Sequence, residues 1–296
     1  MMHRKATRLL ICDLDNTLYD WVGYFVVSFY DMIEKMVEIS GCDKEALLDD
    51  FRSVHRKHHD SEHPFALLET ETVRRLHPKA TVQEIAKIYD PAFHAFNSSR
   101  KRNLTLYPGV MSALKVLHAS GVTLVAHTES KLFSATGRMQ RLQLTKYFSR
   151  LYCREASASL NPAAGSYSMP LDNFPRNRIS ELSHHQRKPN VQVVKEICEV
   201  EGVATSDAAY VGDSIARDIM MANDAGIFSI WAKYGSYSSK SDYQKLVRIS
   251  HWSDEDVVRE RFLAHKAKDA RPNAVLCNSF DEILDHIEAH EALEPD

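Results

Sequence analysis

Two aspartates separated by one residue, Asp13 and Asp15, close the apolar run Leu9-Leu10-Ile11-Cys12 near the start of a 296-residue chain. Such a run is the pattern of a strand buried on both faces of a parallel sheet. In open α/β sheets, ligands bind in the crevice beyond the strand carboxyl ends, so the pair stands where chemistry usually occurs. The plainer alternative is a solvated turn in which Asp13 caps and Asn16-Thr17 begins a helix. The stretch alone does not choose between them. Further polar residues follow other expected strands: Thr128-Glu129-Ser130 after residues 122–126, and Gly212-Asp213-Ser214 after residues 208–211, with Asp218 about one helical turn on. Lys188-Pro189 precedes a further helix. Taken singly, Thr128 reads as a helix cap, Lys188 as a solvated charge and Asp218 as a partner for Lys188.

The elements that must position these residues follow from hydrophobic periodicity. After Thr17 the alternation of strand and helix stops. Val22, Phe25, Val26, Phe29, Ile33, Met36 and Val37 recur at helical spacing up to Gly41. Asp43 can cap a second helix, a third fits residues 65–76, and Thr81-Val82-Gln83-Glu84 opens a fourth with a capping-box pattern until Asp90-Pro91 kinks or ends it. Residues 19–104 thus read as all-helical, with the Phe25/Phe29 stripe as their core. From Tyr107-Pro108-Gly109 the α/β rhythm returns. Helices at 110–118 and 131–142 flank the strand at 122–126, and short strands follow at 151–153, 208–211, 227–231 and 275–276. Residues 156–187 lack periodicity and read as a long surface excursion. Residues 236–270 read as a polar helical addition at the sheet edge, and 280–287 as a last helix. Pro189 suits the first turn of a helix. The expected fold is α/β: a doubly wound, mostly parallel, Rossmann-like sheet formed by residues 1–18 and 105–296, with a helical cap inserted at 19–104.

The ordered set Asp13-Leu14-Asp15-Asn16-Thr17, Thr128, Lys188-Pro189 and Gly212-Asp213-Ser214 through Asp218 resembles the four motifs of the haloacid dehalogenase superfamily, in its phosphatase branch with the cap after the first motif. The resemblance covers about residues 8 to 235. Asp-Leu-Asp-Asn-Thr-Leu-Tyr also resembles pyrimidine 5′-nucleotidase-like members of that superfamily, though the run is shared widely within it. The resemblance implies hydrolysis of a small-molecule phosphate ester. Asp13 would be the nucleophile on phosphorus; a carboxylate is already ionised at neutral pH and needs no separate base. Asp15 would protonate the leaving oxygen and then deprotonate water, aided by a pKa raised through crowding by Asp13. Thr128, Glu129 and Lys188 would hold phosphoryl oxygens. Asp13, Asp213 and Asp218 close together would repel one another: even at an effective dielectric of about 20, charges 4 Å apart interact by roughly 4 kcal/mol. A divalent cation offsets this, and an all-oxygen donor set points to Mg²⁺. By analogy its ligands are the Asp13 and Asp213 carboxylates and the Asp15 carbonyl, with Ser214 and Asp218 behind them.

The alternatives are a phosphomutase that passes the phosphoryl group to a sugar, and a silent protein-binding module docking through 236–270. Tyr19, Trp21 and Tyr24 are candidates to touch the leaving group. Glu129 departs from the small or amide residue often found there, so its side chain must turn away from phosphate or meet a positive or hydroxyl group. The set His55, His58, His59 and His63 has an i, i+4 pair suited to a transition metal, but reads more simply as a polar cap face. His184-His185 reads as an exposed loop. A formal net charge of −3 offers no general attraction for nucleic acid or an anionic membrane. No apolar stretch reaches membrane-spanning length, and the basic start is too short for a signal peptide. The five cysteines, Cys12, Cys42, Cys153, Cys198 and Cys277, are dispersed, with no Cys-x-x-Cys pair, which suggests buried thiols in a reducing compartment, the cytoplasm by default. Oligomeric state stays open.

Overall fold

The structure is a computed structural model that describes residues 4–63, 65–155, 174–236 and 239–290. Strands β1 (Lys5–Thr7) and β2 (Leu9–Cys12) are followed by five helices: α1 (Trp21–Ser40), α2 (Lys44–His58), α3 (Glu71–Leu76), α4 (Val82–Ile88) and α5 (Asp90–Asn103). Then come α6 (Val110–Ala119), β3 (Thr123–Lys131), α7 (Leu132–Arg141), β4 (Arg150–Arg154), β5 (Ile179–Leu182), α8 (Val191–Val200), β6 (Ala208–Gly212), α9 (Met220–Asp224) and β7 (Phe228–Ala232). The chain ends in α10 (Lys240–Ile249), α11 (Asp254–Lys266), β8 (Ala274–Leu276) and β9 (Ile287–Ala289).

Seven strands form one parallel sheet in the order β5-β4-β3-β2-β6-β7-β8. β2 lies at its centre, with Cys12 beside Ala126 on one side and Val211 on the other. Every residue of β2 is fully buried. Leu10 and Cys12 face one core while Leu9 and Ile11 face the other, which explains the unbroken apolar run. Because the chain turns one way from β2 to β3 and reaches β6 on the other side, the crevice at the end of β2 is a switch point of the topology. The strands expected at 122–126, 151–153, 208–211, 227–231 and 275–276 are all present.

Helix starts and stops obey local chemistry. Asp20 and Asp43 cap α1 and α2, Gly41 ends α1 in the left-handed conformation, and Thr81 with Glu84 forms the expected capping box. Phe25 and Phe29 are buried, and Phe29 meets Phe51 edge-on at 5.0 Å. The expected helix over 65–76 breaks at Thr70, leaving a 3-10 turn, Ala66–Glu69, before α3.

Four tertiary features correct the sequence reading. Residues 156–173 of the expected excursion lie outside the described residues, but 179–182 form edge strand β5, whose alternation is too short to register. Pro189 lies before α8 and not in its first turn, since Asn190 is the cap. The expected last helix is a 3-10 turn, Phe280–Asp285, followed by β9, which pairs with β1. Most consequentially, the 236–270 addition does not lie at the sheet edge. α10 packs on α1 and α2, and α11 on the turn that carries Asp218.

Two histidines sit at this seam. His55 Nδ1 donates to the Ile249 carbonyl at 2.6 Å, and Ser61 Oγ is 2.9 Å from His251 Nδ1. Burial lowers both to about 4, more than the Ile249 carbonyl raises His55 or Asp256 raises His251. A histidine neutral when folded but titrating near 6.5 when unfolded leaves the unfolded state holding more protons. Stability is then complete above about 6.5 and is lost as pH falls toward 4. The upper limit is about 3 kcal/mol for His55, and less for the partly solvated His251. Thermal melting is therefore expected to drop between pH 6.5 and 5. His55→Asn should start less stable and show a shallower drop; an unchanged slope would place the pH response elsewhere.

Candidate active site

Asp13 leaves β2 only 7% exposed. Its Oδ2 accepts from Thr17 Oγ1 at 2.9 Å and its Oδ1 from Lys188 Nζ at 2.6 Å. Lys188 reaches it from the loop before α8, only 2% exposed, and also donates to Asp218 Oδ1 at 3.0 Å. Its ammonium lies 5.4 Å from the centre of the Tyr210 ring, whose hydroxyl is 3.3 Å from Asp218 Oδ1. Burial alone would lower the Lys188 ammonium, but Asp13 and Asp218 raise it well above its usual value. The same burial pushes the Asp13 carboxyl up to about 7, against the pull of Lys188 and with a further push from Asp218.

β6 delivers the other acids. Gly212 ends the strand because the Asp218 side chain folds back over it: a β-carbon there would stand 2.4 Å from Asp218 Cγ. The Ser214 N–H donates to Asp218 Oδ2 at 3.1 Å, and Ser214 Oγ caps the π-helical turn Ile215–Ile219. Asp213 is fixed through its backbone, whose carbonyl accepts from Trp231 Nε1 and Ser236 Oγ, both at 2.9 Å. Its carboxyl is raised well above the ordinary range by withdrawal from water, then by Asp13 and Asp218. Gly235 closes the floor; a β-carbon there would collide with the Asn16 carbonyl at 1.6 Å. Asn16 has φ +59° and its side chain accepts from the Trp21 and Val22 N–H groups at the start of α1.

Oxygens from Asp13, Asp213 and Asp218 lie within 4.8 Å of one another. Of these three acids only Asp13 and Asp218 bond the Lys188 ammonium, and withdrawal from water, then the neighbouring acids, raises Asp13 and Asp213. An all-carboxylate donor set lacking positive charge fits a hard divalent cation such as Mg²⁺.

Asp15 lies in a setting the sequence did not suggest. Its carboxylate meets Arg138 Nη2 at 3.2 Å and accepts from Ser130 Oγ. Arg138, from α7, is 4% exposed and spends its whole guanidinium here: Nε on Tyr19 OH at 3.0 Å, Nη1 on Tyr24 OH at 2.9 Å and on Glu62 at 2.7 and 2.8 Å. Tyr19 and Tyr24 are thus sealed into this network and are withdrawn from the leaving-group role expected of them. A cation, and not only Asp13, faces Asp15. The missed signal was spacing: Leu132, Ala135 and Met139 mark the buried face of α7, and Arg138 falls on it.

Thr128 is fully buried, its Oγ1 accepting from the Ser130 N–H at 3.1 Å. Glu129 Oε1 accepts from the Lys188 N–H at 3.1 Å, and Oε2 is 3.6 Å from Arg187. Its departure from the motif therefore has a local cause: the carboxylate ties down the lysine loop. α11 reinforces that loop, with Arg259 donating to the Lys188 carbonyl at 2.6 Å and Asp256 pairing with Arg187 at 3.2 Å. His184 and His185 are exposed, as expected.

Residues 7–226 match the haloacid dehalogenase-like hydrolase family, and the chain belongs to it. It is 26% identical over 237 residues to a phosphoglycolate phosphatase of Agrobacterium fabrum, covering 79% of this chain and 84% of that one. It is also 23% identical over 235 residues to a glyceraldehyde 3-phosphate phosphatase of Methanopyrus kandleri, covering 78% and 85%. In three dimensions it superposes on a 2-haloacid dehalogenase from Pseudomonas syringae pv. Tomato DC3000 with a TM-score of 0.53 at 18% identity, over 94% of this chain and 97% of that one.

Proposed function

We propose that the protein is a Mg²⁺-dependent phosphomonoesterase that hydrolyses a small-molecule phosphate ester through an aspartyl-phosphate on Asp13. The observation that carries this is the convergence of Asp13, Lys188, Asp213 and Asp218, from three separated stretches of chain, on one buried pocket at the switch point. Residues 1–18 and 105–296 act as the core and 19–104 as the cap that shelters the reaction from water. A bound Mg²⁺, held by the Asp13 and Asp213 carboxylates and the Asp15 carbonyl, supplies the positive charge that the acids and the phosphate oxygens lack.

Asp13 attacks phosphorus in line while Asp15 gives its proton to the departing oxygen, so the alcohol leaves neutral. Asp15 then takes a proton from water, which attacks the same phosphorus and returns Asp13 as a carboxylate. Lys188 and the Thr128 hydroxyl hold the phosphoryl oxygens, and Glu129 serves through its side-chain hold on the Lys188 loop. Asp218 anchors Lys188 and is itself held by the Ser214 N–H, next to Asp213. Trp21 Nε1 is buried without a hydrogen-bond partner, which leaves it the aromatic candidate to meet the leaving group.

Both matched relatives are named phosphatases, which favours hydrolysis over transfer to a sugar. The intact acid set argues against a silent module. No helix among the described residues is long and apolar enough to cross a membrane, and Cys12, Cys153 and Cys198 are buried free thiols, which suits the cytoplasm. Phosphate release from p-nitrophenyl phosphate, nucleotides, sugar phosphates and phosphoglycolate is expected with Mg²⁺ and is abolished by chelation. Inactivity across that panel would overturn the reading; a requirement for a sugar bisphosphate would turn it into a mutase.

Arg138 becomes a positioning residue for Asp15 in this scheme. Arg138→Lys is expected to slow alkyl phosphates, which need a proton on the leaving oxygen, by about 10- to 100-fold. p-Nitrophenyl phosphate, whose leaving group departs as an anion, should be slowed far less. Equal losses on both substrates would mean that Arg138 only supports the fold.

A further inference from the structure

The histidines of the cap do not behave as one polar face. His55 turns inward to the Ile249 carbonyl, whereas His58 and His63 stack ring on ring with centroids 3.6 Å apart and planes 4° apart. Both direct Nε2 at one carboxylate: His58 to Glu69 Oε2 at 2.8 Å and His63 to Glu69 Oε1 at 3.0 Å. The His63 side chain is fully buried and Glu69 is 5% exposed, while His58 keeps 21% of its surface open. The three donor atoms lie within 4.8 Å of one another.

We infer that His58, His63 and Glu69 form a second metal site, in the cap and separate from the acid pocket, suited to a borderline transition ion such as Zn²⁺. Two imidazole nitrogens and one carboxylate are a donor set such ions favour over Mg²⁺. Around a tetrahedral ion with bonds of about 2.0 to 2.1 Å, donor atoms stand about 3.3 Å apart, close to the 2.8 and 3.0 Å that separate the two nitrogens from the Glu69 carboxylate. The open edge of His58 leaves room for a water as fourth ligand. Lys57 Nζ is 2.8 Å from Glu69 Oε2, but its side chain is 68% exposed and can swing aside.

The place of the site gives the ion a structural task. It joins the C-terminal end of α2 to the 3-10 turn Ala66–Glu69, and the chain between carries Glu62, which grips Arg138 beside Asp15. Lys131, just beyond Ser130, donates to the His58 carbonyl at 3.3 Å, so the corner also touches the core. None of this depends on the phosphatase reading.

The test uses the full chain, stripped with chelator and held in excess Mg²⁺ so that the acid pocket is occupied. Titration with Zn²⁺ alone, followed by calorimetry, is expected to show one equivalent bound and a raised melting temperature. His58→Gln and His63→Gln should bind Zn²⁺ at least about 100-fold more weakly, while Asp213→Asn binds it normally. Co²⁺ added to the unaltered chain should give the intense visible absorption of a tetrahedral site, which keeps the test valid if a variant fails to fold. Weak octahedral absorption, equal Zn²⁺ uptake by the histidine variants, or loss of uptake in Asp213→Asn would overturn the site and leave a closed hydrogen-bonded trio.

Discussion

Asp13→Asn is expected to remove turnover of p-nitrophenyl phosphate almost completely, by roughly 10⁴-fold or more. The change keeps the shape of the side chain and its contact with Thr17, so the protein should still fold, yet an amide is not a nucleophile and cannot carry the phosphoryl group. Asp13 stands at the end of a strand with no exposed residue, and its hydrogen-bond partners, Thr17 and Lys188, fix both oxygens. No neighbouring group occupies an equivalent place. Asp213 is tied by its backbone to Trp231 and Ser236, and Asp218 is folded over Gly212. Acid quenching of the unaltered enzyme during turnover should trap a hydroxylamine-sensitive acyl phosphate that the variant lacks. Retained activity in Asp13→Asn would end the covalent mechanism, because the loss is expected in the chemical step and not in binding.

Lys188→Met should be costly in two ways that can be read separately. Activity is expected to fall by about 10²- to 10³-fold, since a charge that would hold the phosphoryl oxygens is gone. Stability should fall too, by about 3 to 5 kcal/mol, because Asp13 and Asp218 remain buried without their cation. The loss should be greatest in chelator and partly recovered with Mg²⁺, which adds positive charge to the same acids. Lowering the pH should also recover part of it, as protonated carboxyls need no partner. Denaturant unfolding with and without Mg²⁺ at pH 5 and pH 8 separates these effects. A variant equally stable under all four conditions would show that Lys188 is not the counter-charge of this pocket.

The chain order alone determined the core of this protein. A four-residue strand without a polar side chain can only sit between two covered faces, and a strand that ends on Asp-Leu-Asp must release both acids at its carboxyl end. The same logic placed Asp213 at a strand end, whereas β3 runs past the expected stop at 126 and through Thr128 to Lys131; local hydrogen-bonding chemistry placed the caps at Asp43 and Thr81. These features depend on near neighbours in the sequence, so the sequence carries them.

Only the tertiary structure decided what surrounds those acids. Arg138 reaches Tyr19, Tyr24, Glu62 and Asp15 across 76 to 123 residues of chain. The 236–270 addition looked peripheral because its amphipathic helices do not say which surface they will cover; it covers the cap and the Lys188 loop. Glu129 looked like a break in a motif until Arg187 and the Lys188 N–H came beside it. Of four histidines read as a polar cap face, burial took His55 away and Glu69 drew His58 and His63 together. In each case the deciding partner is remote in sequence, and desolvation makes a buried charge find that partner wherever the fold supplies it.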